Sequence, residues 1–551
     1  MFKLLRRGVF LGGAAYCAYD FNTDEQLILR SMRTLSVGIQ LLYNYKIKFS
    51  PENVDTVHDD MARALYNLCN NNDGLYVKFG QQVAASEHTI PPVFYKYFCK
   101  LQDQAKFAPK NKIEKVLAQE FGEDYMGKVF SEFDLEPIAA ASIAQVHKAK
   151  LIDGREVAVK IQKPNIKRQF KSDMFFHYLF CYVMGKAFDL PLLDFQQSIE
   201  ENLQMEIDFR IEAANTERTR HDVQNKLKNK NIYVPEIIHK YDSQRVMVME
   251  WIDGIKITDQ EQLQKQNYDI EKLVQNSIEF FAEQIFISGF VHCDPHPGNL
   301  LARKVKDKNG NEQQQVVVLD YGLCFPLKEE FRLKYCSFWE NLFLGNFENM
   351  KKIIADWGVG NEEMFASAQL LRPYNKEKHI NEKISQEDVY KMQSQFKEDF
   401  KNMMQDTNKF PDELIFIGRN MNLVRSLNKK MGSPVNRINV MAKYAVKGQQ
   451  YVNINKQSGI EKQHSRYEIN KEVLSQQIIA NNTAFFQHKL SVFLFQCRLF
   501  LSGVIFKVYQ FWLKKFKNSN VEEVLDNVMA NIANERFGQY GLKIDETSFS
   551  G

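Results

Sequence analysis

From Asp24 to about Phe130, apolar residues recur at spacings of three and four, as at Met61, Leu65 and Leu68. That period predicts helices, broken at Ile90-Pro91-Pro92. The pattern then changes to short strands. Ile143 to Leu151 and Glu156 to Ile161 flank Asp153-Gly154 and read as a hairpin, closed by Pro164. Helix is predicted again from Lys171 to about Gln224, interrupted near Pro191. A Lys/Asn-rich turn, Asn225 to Asn231, leads to a predicted strand pair around Val234 and Val246 to Glu250. A helical stretch from Asp269 to Ser288 ends at Gly289. The polar loop Lys306 to Gln315 holds Asn309-Gly310 and joins two strands as a hairpin. Helical pattern returns from Lys328 to about Gly448, with a polar linker at Pro373 to Glu382. Lys456 to Asn470 reads as a boundary, and Leu490 to Phe506 is strongly apolar apart from Arg498. No internal repeat is present.

At 551 residues the chain exceeds one ordinary core, so two or more structural units are expected. Its 72 basic and 68 acidic residues nearly balance. No basic stripe interleaved with aromatics marks a nucleic-acid partner. Eight cysteines without a C-x-x-C pair suggest neither a disulfide framework nor a zinc cluster. At the N-terminus, Lys3, Arg6 and Arg7 precede an apolar run from Gly8 to Tyr19. Basic, acid-poor and then apolar is how a targeting signal begins, although the run is shorter than the ~20 residues of a membrane span. A short anchor, an uncleaved targeting helix and a buried first helix all fit these residues. Leu490 to Phe506, flanked by Lys507, Lys514 and Lys515, fits an interfacial helix or a core helix equally.

The densest chemistry lies between Val291 and Gly322. Asp294 and Asn299 are five residues apart, and Asp320 opens an Asp-aromatic-Gly triplet after a strand. This is the order of a kinase catalytic loop and its metal-binding triplet. Asp294 would orient or deprotonate an acceptor, and Asn299 and Asp320 would hold magnesium on a nucleoside triphosphate. Val157-Ala158-Val159-Lys160 supplies a strand lysine for the phosphates. Upstream, where a glycine loop belongs, stand Ala139, Ala140, Ala141 and Ser142. Small residues let backbone N–H groups approach phosphate, but alanine lacks the positive-φ freedom of glycine, so a stiffer loop is expected. Glu206, Asp208 and Glu212 fall on a predicted helix, with Glu212 about two turns from Glu206. Val246 to Gly254 has the look of a hinge, with backbone groups at Glu250 and Ile252 facing an adenine edge. His292 and His296 suggest a metal pair, but Pro295 and Pro297 oppose the helix such a pair needs. Magnesium on oxygen ligands is the ion expected.

Together these residues resemble the UbiB, or AarF-domain, family of atypical kinases. Lys78-Phe79-Gly80-Gln81 matches its K-x-G-Q, the Ala-rich loop replaces the glycine loop, and Glu206 and Asp208 match its E-x-D. Glu212 matches the glutamate that pairs with the strand lysine, and H-C-D-P-H-P-G-N-L is close to a family signature. The resemblance is strong from about Asp73 to Phe325. The N-terminal helices, the Asp153-Gly154-Arg155 turn and Glu329 to Glu340 look most like the aarF-domain-containing kinase one branch, which is mitochondrial in animals and fungi. It implies an α+β, two-lobed protein-kinase-like fold. The expected organisation is a targeting or anchor segment at 1–23 and a helical K-x-G-Q extension at 24–130. An N-lobe with inserted helices follows at 131–255, then a C-lobe at 256–455 and a helical tail at 456–551. The resemblance also implies that Lys78, Gly80 and Gln81 sit over the active site, toward Glu206 and Asp208, and occlude peptide-sized substrates. ATP and magnesium are the implied cofactors. A lipid or membrane surface is the implied partner, and the activity is an ATPase or small-molecule kinase in mitochondrial lipid or quinone metabolism. A nucleotide-switched, non-catalytic membrane adaptor is the alternative. An ordinary protein kinase fits least, because no A-P-E motif follows Gly322 and Cys293 stands where H-R-D has arginine.

Overall fold

The computed structural model describes residues 20, 26–50, 53–84, 92–101, 106–188, 192–227, 229–306, 309–344, 346–358, 411–449, 499–515, 517 and 519–524. The segment at 1–19, the linker at 373–382, the boundary at 456–470 and the apolar run up to 498 lie outside the described residues.

An N-terminal group of helices comes first: α1 (Leu27–Tyr43), α2 (Val54–Asn72), α3 (Leu75–Ala84) and α4 (Pro92–Phe98). Their apolar faces meet in one cluster that includes Val57, Met61, Leu68, Val77 and Phe98. Glycine is required on α3. A Cβ on Gly80 would overlap Leu101 Cδ1 and lie 3.1 Å from Phe98 Cδ1, so only a bare backbone lets α3 pack this closely.

Helix α5 (Lys110–Phe121) follows. The sequence places it in the extension, yet Ile113, Val116 and Leu117 pack under the first sheet with Phe130, Leu151, Val157, Val159 and Ile161. The small lobe therefore begins before residue 110. Its strands are β1 (Phe130–Phe133), β2 (Ala139–Ala140), β3 (Ala144–Leu151) and β4 (Glu156–Gln162). The predicted hairpin is present, with Lys150 opposite Glu156 and Val146 opposite Lys160. Period-2 alternation sends Val157, Val159 and Ile161 to the α5 side. Ala158 faces the other cluster, and Lys160 shares that parity.

Three helices follow β4: α6 (Ile166–Phe188), which packs against α1, then α7 (Leu192–Glu206) and α8 (Phe209–His221). The stretch Glu206 to Asn215 is not one helix, contrary to the sequence pattern. It breaks at Ile207-Asp208, where the Asp208 carboxylate caps α8 by accepting the Arg210 N–H at 3.1 Å. Aspartate competes for backbone donors and favours a helix start over its interior.

The predicted strand pair also divides. β5 (Ile232–Tyr233) runs parallel to a large-lobe strand, while β6 (Val246–Glu250) completes the small-lobe sheet beside β4. β7 (Ile255–Lys256) already belongs to the large lobe. Helix α9 (Ile270–Glu283) leads to β8 (Phe290–His292), then β9 (Leu300–Lys306), β10 (Glu312–Val318) and β11 (Cys324–Pro326). β9 and β10 form the expected hairpin, with Lys306 opposite Glu312. Helices α10 (Glu329–Leu344), α11 (Phe347–Asp356) and α12 (Asp412–Lys430) close the large lobe around a core that includes Phe281, Phe286, Tyr335, Trp339, Met421 and Val424. Further helix spans 437–449 and 499–515. The molecule is thus an α+β, two-lobed kinase-like fold with helical segments before and after it.

Candidate active site

Two short strands set the site. β8 and β11 pair antiparallel, with Cys324 opposite His292, and so bring the Asp294 loop beside the Asp320 triplet. His292 ties the two together. Its Nδ1 accepts the Asp294 N–H at 3.1 Å, and its Nε2 hydrogen-bonds the Asp320 carbonyl. Burial holds this imidazole below its ordinary pKa. His296 caps the next turn, its Nδ1 accepting the Gly298 N–H at 3.1 Å. Both histidines therefore serve the backbone, which displaces the metal-pair reading. The Asn299 carbonyl accepts the Leu319 N–H at 3.0 Å and fixes Asn299 against the residue that follows β10 and precedes Asp320.

Lys160 reaches across from β4. Its Nζ lies 2.6 Å from Glu212 Oε1 on α8 and 3.6 Å from Asp320 Oδ2. Burial opposes its charge, but Asp320 and Glu212 outweigh burial and raise its pKa. Burial pushes the Glu212 carboxyl up to about 7, with Lys160 pulling the other way. Partial desolvation opposes the charge of Asp320, but Lys160 and the Gly322 N–H, which donates to Oδ1 at 2.9 Å, hold its pKa down to about 2. A Cβ on Gly322 would stand 3.2 Å from that same Oδ1, so glycine permits the close turn.

Asp294 is met by two cations on one oxygen. Lys78 Nζ lies 3.9 Å from Oδ2 and Arg419 Nη2 lies 3.6 Å from it. Against burial, Arg419 and then Lys78 lower the Asp294 pKa. Lys78 also binds Glu206 Oε2 at 3.0 Å. The K-x-G-Q lysine is thus placed over the site. Gln81 is turned elsewhere, donating to the Leu101 carbonyl at 3.0 Å, and Gly80 serves packing. Asp208 is likewise apart from Lys78, engaged with Arg210 Nη2 at 2.6 Å.

The Ala-rich segment forms a tight hairpin. Ala139 pairs with Val146, the Ala141 N–H donates to the Ala144 carbonyl at 2.8 Å, and Ser142 is buried. Its strand is in register, through Val146, with Lys160. At the hinge, the Glu250 N–H is already given to the Glu236 carbonyl at 2.9 Å, and its carboxylate accepts Tyr233 Oη–H at 2.6 Å. That leaves the Glu250 carbonyl, rather than its N–H, for an adenine edge. Ile252 is buried.

Three side chains were not singled out from sequence. Asn215 Nδ2 donates to the Tyr321 carbonyl at 3.1 Å, and Asn420 Nδ2 donates to the His292 carbonyl at 2.6 Å. Arg419 is the third. The available signal was a buried polar pattern on an otherwise apolar helix face, Asn420 and Asn428 on α12.

A strand lysine paired to a helix glutamate, facing a catalytic-type loop and an Asp-aromatic-Gly turn, defines a protein-kinase-like site. Residues 100–354 match the ABC1 atypical kinase-like domain. A Xenopus laevis protein named AarF domain-containing protein kinase 1 is 32% identical over 446 residues, covering 78% of this chain and 83% of its own length. A Dictyostelium discoideum relative, "Probable serine/threonine-protein kinase abkD", is 36% identical over 469 residues; these span 82% of this chain but only 66% of that protein. Among solved structures, the Rv3197–erythromycin complex of Mycobacterium tuberculosis matches 69% of this chain and 94% of that one, with 21% identity and a TM-score of 0.40. The chain belongs to the ABC1, or AarF-domain, family of atypical kinase-like proteins.

Proposed function

We propose that the chain is a magnesium-dependent ATPase or small-molecule phosphotransferase whose acceptor site lies under helix α3. The observation that carries this is the bridge from Lys160 to both Glu212 and Asp320, at 2.6 and 3.6 Å, beside Asp294. In this reading the backbone of Ala139, Ala140, Ala141 and Ser142 covers the phosphates, Lys160 neutralises them, and Glu250 and Ile252 meet the base. Asp320 and Asn299 are the oxygen donors for magnesium. They suit a hard cation, since Asp320 stays ionised and its side chain is 40% exposed. Bound there, the ion would neutralise charge on the β- and γ-phosphates.

Asp294 Oδ2 is occupied by Lys78 and Arg419, so Oδ1 is the oxygen that takes the acceptor's proton. The acceptor oxygen bonds to the γ-phosphorus as the bond from that phosphorus to the β–γ bridging oxygen breaks, releasing ADP. A carboxylate of lowered pKa is a weak base, but a loose phosphoryl transition state needs orientation more than proton abstraction. The lysine of α3 occupies the approach to Asp294, which favours water or a small acceptor over a peptide.

Membrane association is proposed from the helix at 499–515. Its Leu513 is buried and Gln510 Nε2 donates to the Ser433 carbonyl at 2.8 Å, so one face docks on the protein. The other face exposes Phe500, Leu501, Ile505, Val508 and Phe511. Lys507, Lys514, Lys515 and Lys517 surround it, with no acidic residue between 499 and 521. Apolar residues ringed by lysines suit an anionic lipid surface. No described helix is long and apolar enough to cross a membrane. With the basic, apolar N-terminus, this supports a mitochondrial, membrane-associated protein of lipid or quinone homeostasis.

The test is ATP turnover with and without anionic vesicles. Asp320→Asn should abolish magnesium-dependent hydrolysis, while unchanged hydrolysis would refute the enzyme. Cellular rescue by a variant lacking both Asp294 and Asp320 would instead favour the nucleotide-switched adaptor, for which the same exposed helix speaks.

A further inference from the structure

The loop that carries Asp294 brings no lysine or arginine of its own. Cys293 precedes Asp294 and is fully buried, and both ring nitrogens of His292 are engaged with backbone, at the Asp294 N–H and the Asp320 carbonyl. The lysine and arginine charges around the carboxylate come from other elements. Lys78 arrives from α3, itself bound to Glu206 of α7, and Arg419 arrives from α12. Asp320 repels the Asp294 carboxylate, and beyond Asp320 stand Lys160 of β4 and Glu212 of α8.

Helix α12 grips this loop with two consecutive residues. Asn420, fully buried, donates to the His292 carbonyl at 2.6 Å, and Arg419 Nη2 meets Asp294 Oδ2 at 3.6 Å. The ion pair to Asp294 is the one Arg419 makes among the described residues, and its buried Nε has no partner there. The two cations differ in mounting. Lys78 rides on a ten-residue helix of the cover. Arg419 sits on a helix whose Leu414, Ile417, Met421 and Val424 are part of the large-lobe core. An acceptor approaching Asp294 displaces the cover before it displaces a core helix.

We infer that Arg419 is a positioning residue of the phosphoryl-transfer site: it holds Asp294 by Oδ2 when Lys78 withdraws, keeping Oδ1 turned to the acceptor. It supplies from a distant helix the arginine that the catalytic loop itself lacks. This rests on the phosphotransferase reading above.

The experiment compares magnesium-ATP turnover by the full chain carrying Arg419→Gln or Arg419→Lys, each also combined with Asp294→Asn. Arg419→Gln should lower kcat by about tenfold or more, with ATP affinity within about twofold. Arg419→Lys, which keeps the charge and carries the test if the glutamine variant melts low, should recover part of that loss. In the Asp294→Asn background neither substitution should lower the residual rate further, because the partner is gone. A wild-type kcat in Arg419→Gln, or an equal fall in both backgrounds, would overturn the inference. The outcomes separate cleanly: an active Asp320→Asn sinks the phosphotransferase reading, whereas an inactive Asp320→Asn beside an unaffected Arg419→Gln sinks this inference alone.

Discussion

Two residues at the site carry opposite lessons about burial. Tyr321 stands where a phenylalanine is usual; its ring is fully buried and its hydroxyl has no partner among the described residues. A buried hydroxyl left unpaired costs about 1–3 kcal/mol. Tyr321→Phe is therefore expected to raise stability, by about 1 kcal/mol in denaturant unfolding, despite altering a motif residue. Glu212 is instead buried beside a cation, with its carboxyl pushed from 4.5 up to about 7. Its folded-state value exceeds the unfolded one, so its contribution to stability is full below pH 4.5 and is lost as pH rises through about 7. The melting temperature of Glu212→Gln should lack that fall; parallel pH profiles for wild type and variant would contradict it. At this scale Asp294, Asn299 and Asp320 were legible because their geometry is local: a turn of fixed length and a two-strand pairing place them. Arg419 was not, because it lies more than ninety residues from Asp320 in sequence and only the packing of α12 brings it to the loop.

Among elements, the hairpins were the most legible. Asp153-Gly154 and Asn309-Gly310 mark turns wherever they occur, and Gly154 and Gly310 do adopt φ of 89° and 82°. Pattern alone could not tell that Ile232–Tyr233 joins the large-lobe sheet, since two residues of strand carry no partner information. Nor could it find the break at Ile207-Asp208, where one cap overrides an otherwise helical run. Helix α3 gives a direct test at this scale. Gly80→Ala should overpack the contact with Leu101 and Phe98, costing about 1–3 kcal/mol. If the helix is levered away, Lys78 leaves Glu206 and Asp294. Faster hydrogen exchange in α3 than in α9 would report it, and unchanged exchange in α3 would show that the contact yields without moving the helix.

Across the whole molecule, the chain after residue 500 carries a buried carboxylate back into the large lobe. Glu522 Oε1 lies 2.9 Å from Arg437 Nε and 3.3 Å from Asn428 Nδ2, and Oε2 lies 3.7 Å from Arg425 Nε; both arginines are buried. Removing one member of a buried pair costs about 3–5 kcal/mol because the other charge is left uncompensated. Glu522→Ala should lose about that much in urea unfolding, whereas a loss near zero would mean that the arginines relax to water. The two-lobed plan was legible because kinase motifs in order imply both lobes. The start of the small lobe was not: α5 has the same three-and-four spacing as the extension helices, and only its packing against β1, β3 and β4 assigns it.

The Ala139–Ser142 hairpin has a thermodynamic consequence. Every residue of this segment lies outside the positive-φ region, and none is glycine. A glycine-rich loop surrenders much conformational freedom when it closes on phosphate, but a segment already fixed by the Ala141–Ala144 hydrogen bond surrenders little. Nucleotide binding by this protein should accordingly show a small entropic penalty in calorimetry, and Ala140→Gly should enlarge it while leaving the enthalpy nearly unchanged.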